Sequence, residues 1–248
     1  MKSKLLKKIC GIFGYKLIEK KAFKNKRLVS QNSSLTLKKV LQVLFEENKI
    51  ISLIQIGAND GLSFDELNFY IKKYKSKSLL IEPIKENFDL LKENYKKYDH
   101  VILENLAISV NNEISYLYKV DNKFINKYGS HISAIPSFDK KHLINHGVKN
   151  AHIIEEKVES MSILNLINKY KFQDLDLLFL DTEGYDGKIV YDFLSTVDKK
   201  PIIIFEYIHV DNIIFEKLIN KLLEKKYLFF MIEENIICYP KETKITIN

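Results

Sequence analysis

The chain has 248 residues, 46% of them hydrophobic and 29% charged, enough for one substantial core. Eight glycines, four prolines and two cysteines (Cys10 and Cys238) exclude disordered, collagen-like and disulfide-stapled chains and fit a reducing compartment. The net charge of +7 is concentrated at one end, where residues 1–27 hold ten basic residues and the single acid Glu19; the body is close to neutral.

Every basic residue except Arg27 is lysine. Bidentate reading of guanine and clamping of phosphates call on arginine, so nucleic acid is not an expected partner. No apolar run reaches the length of a membrane span, and the start lacks the apolar stretch and cleavage site of a signal peptide; a cytoplasmic protein is expected. Residues 1–34 form a separate basic segment. Leu5, Leu6, Ile9, Ile12, Phe13 and Leu17 recur near helical spacing among the lysines, which suits either packing on the domain or peripheral contact with an anionic membrane through residues 1–27.

From residue 35 to 248 strand and helix signals alternate, as in a parallel sheet with crossover helices. A helix with Leu35, Val40, Leu41, Leu44 and Phe45 precedes a buried strand over residues 50–56. Ser63 and Glu66 have capping-box spacing and predict a helix opening at Ser63. A strand over 78–82 stops at Pro83, a helix with Ile84, Phe88, Leu91 and Tyr95 follows, and residues 101–108 read as one strand. Residues 113–120 alternate like an edge or hairpin strand. Residues 121–150 are polar, hold three of the six histidines and read as an irregular insertion on the substrate side. Beyond it the pattern predicts a helix over 162–170, a strand over 175–180, a helix over 187–196, a strand over 201–207, a helix capped by Asp211 and a terminal hairpin.

In such sheets ligands bind beyond the carboxyl ends of the strands. Gly57, Asn59 and Gly61 follow the first strand, but Asn59 stands where a dinucleotide fingerprint has its middle glycine, which argues against NAD or FAD. Glu82 ends the second strand, where an acid accepts hydrogen bonds from ribose hydroxyls; turn and acid together suggest an adenosine-containing ligand without an essential diphosphate. Asp181, Glu183 and Asp186 follow the strand over 175–180. Glu183 and Asp186 suit helix capping as well as function, whereas Asp181 sits on the strand tip. Glu206 and His209 end the next strand and suit a base with its orienting partner, or, with Asp181, ligands for Mg²⁺ or Mn²⁺. His131, His142 and His146 lie in the insertion at spacings that match no recognised metal motif, and neither cysteine has the surroundings of an activated thiolate.

The ordered series IGANDG, LLIEP, ENLAIS, LDLLFLDTEGYD and IIIFEYIH, over about residues 50–210, resembles the FkbM family of S-adenosylmethionine-dependent methyltransferases. The resemblance implies an α/β Rossmann-like methyltransferase fold: a mostly parallel seven-stranded sheet with an antiparallel last strand and helices on both faces. It implies S-adenosylmethionine as cofactor, with Gln55, Gly57, Asn59 and Gly61 near its methionine part, Glu82 at the ribose, Asn105 and Ala107 near the adenine, and Asp181 at the methyl-transfer region. Gln55 replaces an acid common in the family, and Phe179 replaces a lysine. Family members that methylate sugars and polyketide hydroxyls imply O-methylation of a small-molecule alcohol, a sugar or nucleotide-activated sugar of surface-polysaccharide synthesis being the expected partner. In that reading His209 or Asp181 takes the proton, Glu206 orients the imidazole, and His131, Ser133, Glu183 and Asp186 contact the acceptor. Alternatives are a nicotinamide-dependent sugar oxidoreductase, against which the missing glycine weighs, and a non-catalytic sugar-binding relative, against which Glu82 and Asp181 weigh.

Overall fold

The structure, a computed structural model, describes residues 35–47, 49–110, 115–129, 132 and 135–243. The basic segment 1–34, His131 and Ser133 lie outside them, and with them the expected membrane contact and two of the expected acceptor contacts. No helix among the described residues is long and apolar enough to cross a membrane.

The main sheet has seven strands: β1 (Ser52–Ile56), β2 (Lys77–Ile81), β3 (Val101–Glu104), β8 (Leu177–Leu180), β9 (Ile202–Glu206), β10 (Tyr227–Ile232) and β11 (Asn235–Pro240). Their order is β10-β11-β9-β8-β1-β2-β3. All neighbours are parallel except β11, which runs antiparallel to both β9 and β10. This is the expected sheet with its reversed last strand.

Central strands covered on both faces need apolar residues at every position, and β1, β8 and β9 supply them with the exceptions of Ser52, Gln55 and the terminal Glu206. Successive side chains alternate between two cores. On one face Ile54, Ile56, Leu178, Leu180, Ile203 and Phe205 pack against α5 (Ile163–Tyr170), α6 (Asp186–Thr196) and α7 (Asn212–Glu224). On the other, Leu53, Leu80, Leu177, Phe179, Ile202 and Ile204 pack against α1 (Leu37–Glu47), α2 (Asn68–Tyr74) and α3 (Lys85–Tyr95).

Two local expectations are corrected, and one strand is added. The helix after β1 starts at Asn68, not Ser63, and carries no side-chain cap. Asp60 takes both the Ser63 amide (2.7 Å) and its hydroxyl (2.7 Å), and Phe64 adopts a left-handed φ of 60°, so the capping box never forms. The strand expected over 101–108 breaks at Asn105, whose amide donates to the carbonyls of Glu82 (2.9 Å) and Pro83 (3.0 Å). The chain then turns into β4 (Ala107–Ile108), which pairs with β7 (Ser160–Met161) instead of continuing the sheet. Finally, β5 (Ser115–Val120) pairs antiparallel with β6 (Ile153–Val158), a strand the mixed pattern IIEEKV conceals.

Between β5 and β6 the insertion is structured. It holds α4 (Lys140–Asn145) and two short 3-10 turns, Asn122–Lys127 and Asn150–His152. Its own small core joins Val120, Ile132, Ile135, Leu143, Val148 and Ile153.

Candidate active site

A cavity of about 730 Å³ opens at the carboxyl ends of β1, β2, β8 and β9, in the size range of ligand pockets. The sheet, the insertion through Ile135, Pro136 and Phe138, and the β10–β11 turn wall it in.

At the β1–β2 end the backbone does most of the shaping. Gly57 has a φ of 86°, and a Cβ there would lie 1.8 Å from the carbonyl oxygen of Asp181, so the close approach of β1 and β8 tips requires glycine. Asn59, also left-handed, donates its amide to Glu82 Oε2 (2.9 Å), and the Ile84 amide donates to Glu82 Oε1 (2.8 Å). Burial pushes the Glu82 carboxyl up to about 7 against these donors. Gln55 donates to Asp65 Oδ1 (3.0 Å), so the acid missing at position 55 is supplied beside it by Asp65, which also lines the cavity. Burial raises the Asp65 carboxyl above its ordinary value.

Ala107 lines the cavity, whereas Gly61 and Asn105 do not. A Cβ on Gly61 would strike Leu91 (2.5 Å) and Tyr95 (2.6 Å), so this glycine seats the turn on α3. Asn105 ties the β2–α3 turn to β3, as described above.

At the β8–β9 end carboxylates gather. Asp181 faces the open cavity but is surrounded by protein. Desolvation, then Glu183, Glu234 and Asp65, push it up to about 7, a push that solvent in the cavity moderates. Glu206 is pushed up to about 10, first by burial and then by Glu183 and Asp181, and its Oε2 has no hydrogen-bond partner. Asp186 is fully buried and fastened by the Thr182 amide (3.2 Å) and hydroxyl (2.8 Å). It braces the loop from within and does not line the cavity.

His209 does not line the cavity either. Its Nε2 is 3.9 Å from Glu206 Oε1, too far for the expected orienting hydrogen bond, and 3.9 Å from Glu183 Oε2. The imidazole instead meets those of His142 and His146, at ring-centroid distances of 4.6 and 5.3 Å. His142 Nε2 lies 3.0 Å from Glu183 Oε2, out of line for a hydrogen bond. Burial, then His146, holds His142 below the ordinary imidazole value, and burial holds Glu183 above the ordinary carboxylate value. The expected metal trio Asp181, Glu206 and His209 is not assembled. Among the described residues, the groups with ligand atoms all within 4.8 Å of one another are His142, His146 and His209, and Glu183, Glu206 and His209.

Sequence reasoning missed Asp65, Glu233 and Glu234. The two glutamates reach the cavity because the reversed β11 brings its turn to the carboxyl side of the sheet, where Asn235 pairs with Glu206. The reversed strand itself was the signal for that placement. Cys238 is buried in β11 with its thiol pushed well above the ordinary value, in keeping with an unreactive cysteine.

Solved structures similar to the chain include a methyltransferase FkbM from Methylobacillus flagellatus KT, 12% identical with a TM-score of 0.48 over 76% of this chain and 43% of that one. Another is an O-methyltransferase from Bacillus cereus in complex with SAH, 11% identical with a TM-score of 0.42 over 86% and 84%. An SAH-bound methyltransferase from Podospora anserina is 12% identical, with a TM-score of 0.43 over 96% and 94%. The chain spans less than half the length of the Methylobacillus protein. No curated protein matches it. The model of the methyltransferase FkbM domain matches residues 55–229, from near the end of β1 into β10, and so includes the cavity-lining tips of β1, β2, β8 and β9. The chain therefore belongs to the methyltransferase FkbM family.

Proposed function

We propose that the protein is an O-methyltransferase that moves the methyl group of S-adenosylmethionine to a hydroxyl of a small neutral acceptor, a sugar used in surface-polysaccharide synthesis. The observation that carries this reading is a single cavity with a nucleoside-type end, Gly57, Asn59, Glu82 and Ala107, and a carboxylate, Asp181, at the neighbouring strand tip.

Asp65 takes the ammonium of the methionine part, the role its buried and unpartnered Oδ2 suits. Glu82 accepts from the ribose hydroxyls. A lone pair of the acceptor oxygen attacks the methyl carbon in line with sulfur, the carbon–sulfur pair stays on sulfur, and the hydroxyl proton passes to Asp181. The protein's main contribution is alignment and exclusion of water, with the base adding to it. Asp181 is preferred to His209 as base because it faces the cavity and the imidazole does not.

The described walls carry Asp65, Glu66, Asp181, Glu183, Glu206 and Glu234 among their acids, and no Lys, Arg or His. Such a wall suits a sulfonium and repels a diphosphate. A nucleotide-activated sugar therefore presents its uncharged ring to the cavity and leaves its diphosphate outside.

Calorimetric titration with S-adenosylhomocysteine, with NAD as control, tests the cofactor assignment: micromolar binding of the first and none of the second is expected. Asp181→Asn should keep that binding and lose about 10²- to 10⁴-fold in turnover. Wild-type turnover in this variant removes Asp181 as the base, and failure of the folded protein to bind S-adenosylhomocysteine removes the whole reading.

A further inference from the structure

The insertion and the loop after β9 bring three imidazoles together, with a carboxylate of the loop after β8 beside two of them. His142 and His146 are four residues apart, on α4 and at its C-cap, and so emerge on one side of the helix, with ring centroids 4.4 Å apart. His209 comes from the loop after β9 and faces both, and Glu183 comes from the loop after β8.

The details of the cluster favour ligation. His146 Nδ1 is 2.9 Å from the carbonyl oxygen of His142. A carbonyl only accepts, so Nδ1 carries the hydrogen and Nε2 keeps its lone pair, the arrangement that orients a metal-binding histidine. His142 is buried, and its Nε2 has no hydrogen-bond partner despite lying 3.0 Å from Glu183 Oε2. An imidazole nitrogen left in that state is open to a ligand, a water or an ion.

The backbone also holds Glu183 in place at a cost. Its φ is 53°, left-handed for a side chain that does not favour it, and Gly184 follows at 95°. A Cβ on Gly184 would lie 2.9 Å from the carbonyl oxygen of His209, and Ser137 of the insertion donates its hydroxyl to the Glu183 carbonyl (3.0 Å). The two loops and the insertion are thus drawn together around the cluster.

We propose that His142, His146 and His209 bind one divalent transition-metal ion of the zinc class, which fastens the insertion to the loop after β9, with Glu183 beside the ion. Three imidazole nitrogens form a donor set for zinc, cobalt or nickel, with water in the fourth position; Mg²⁺ and Ca²⁺ prefer oxygen throughout. Ligand atoms around a tetrahedral ion with bonds of about 2.0–2.2 Å lie roughly 3.3–3.6 Å apart. The three ring nitrogens, within 4.8 Å of one another, reach that spacing by side-chain rotation. The inference does not depend on methyl transfer, and it assigns His209 to the ion and not to the acceptor proton.

The test uses the tag-free full chain, stripped with a chelator and shown to be folded by its melting transition. Titration with Co²⁺ should give the intense visible bands of a four-coordinate ion at one equivalent, bleached by one equivalent of Zn²⁺, and Zn²⁺ should raise the melting temperature. His146→Ala changes an exposed side chain, and it should weaken Zn²⁺ at least tenfold; His209→Ala should weaken it as well. Absence of stoichiometric Co²⁺ and Zn²⁺ binding at micromolar concentration overturns the site. So does unchanged affinity in His146→Ala with loss of the ion in Glu206→Gln, which would place it in the carboxylate-rich group instead. Because S-adenosylhomocysteine is titrated separately, loss of cofactor binding with Zn²⁺ binding intact counts against the methyl-transfer reading alone.

Discussion

Glu82 and Glu206 are glutamates at strand tips lining the same cavity, and their surroundings make them different reagents. Each oxygen of Glu82 receives a backbone amide, from Asn59 and Ile84, so the carboxyl is fixed and held to about 7 despite its burial. Glu206 lies among other acids, has one oxygen without a partner, and is pushed up to about 10. Glu82 is therefore satisfied by its own backbone, whereas Glu206 keeps unmet hydrogen-bonding capacity. Near neutral pH Glu82 is an acceptor for hydroxyls. Glu206 carries its proton and is a donor, a neutral acid able to grip an acceptor oxygen.

The largest effect that would break this contrast is at the cofactor end. Gly57→Ala places a Cβ against the Asp181 carbonyl in a left-handed backbone, so β1 and β8 must part at their tips. A loss of about 3 kcal/mol or more in denaturant unfolding is expected, with loss of S-adenosylhomocysteine binding. An unchanged midpoint would show that this end is not held by its backbone. Next in size, Glu82→Gln turns one acceptor into a donor opposite a backbone N–H. Affinity for S-adenosylhomocysteine should fall about tenfold or more in calorimetry, in line with the worth of hydrogen bonds to a charged group.

The strands of the main sheet were legible because buried parallel strands write themselves as apolar runs: LDLLFL and PIIIFEY leave little choice, and the reversed last strand came from the family resemblance, in keeping with the terminal hairpin. Gly57, Glu82 and Asp181 were legible because they stand directly after such runs. What failed depended on competition between neighbours. The Ser63 to Glu66 spacing is a capping box until Asp60, three residues earlier, takes the serine. The strand from Val101 continues on paper until the Asn105 amide finds two carbonyls of another turn. The four-residue spacing of His142 and His146 was visible, but their convergence with Glu183 and His209 follows from the path of the insertion, which no local pattern encodes. Polar composition concealed that the insertion has its own core around Leu143 and Val148.

A smaller effect is expected from pH. Buried Asp186 and Glu82 both have folded values raised to about 7, from 3.8 and 4.5. The folded state holds these protons more tightly than the unfolded chain does, so their contribution is complete below the unfolded values and is lost as pH rises through about 7. Lowering pH from 8 to 6 should restore about 1 kcal/mol for each group, a rise of a few degrees in melting temperature. Asp186→Asn, which keeps an acceptor for Thr182 and has no charge to bury, should remove about 1 kcal/mol of that pH dependence. A melting temperature that falls over the same interval would contradict the direction of both shifts.

The smallest expected change is the one that separates the two halves most sharply. If Glu206 is neutral at working pH, Glu206→Gln keeps an uncharged donor and acceptor of the same shape, and turnover should stay within about threefold of wild type. Glu206→Ala removes the donor and leaves a hole beside Glu183, at a cost of about 1–3 kcal/mol in kcat/KM. The same glutamine substitution at position 82 should be damaging, because that carboxyl is built to receive two donors. Equal sensitivity at the two positions would mean that Glu206 works as an anion, and that something positively charged, the sulfonium or an ion in the neighbouring histidine cluster, lowers it when the cavity is filled. Repeating the Glu206→Gln measurement on chelated and zinc-loaded protein distinguishes those two sources. A penalty that appears with zinc alone assigns the charge to the ion, and one present in both assigns it to the cofactor.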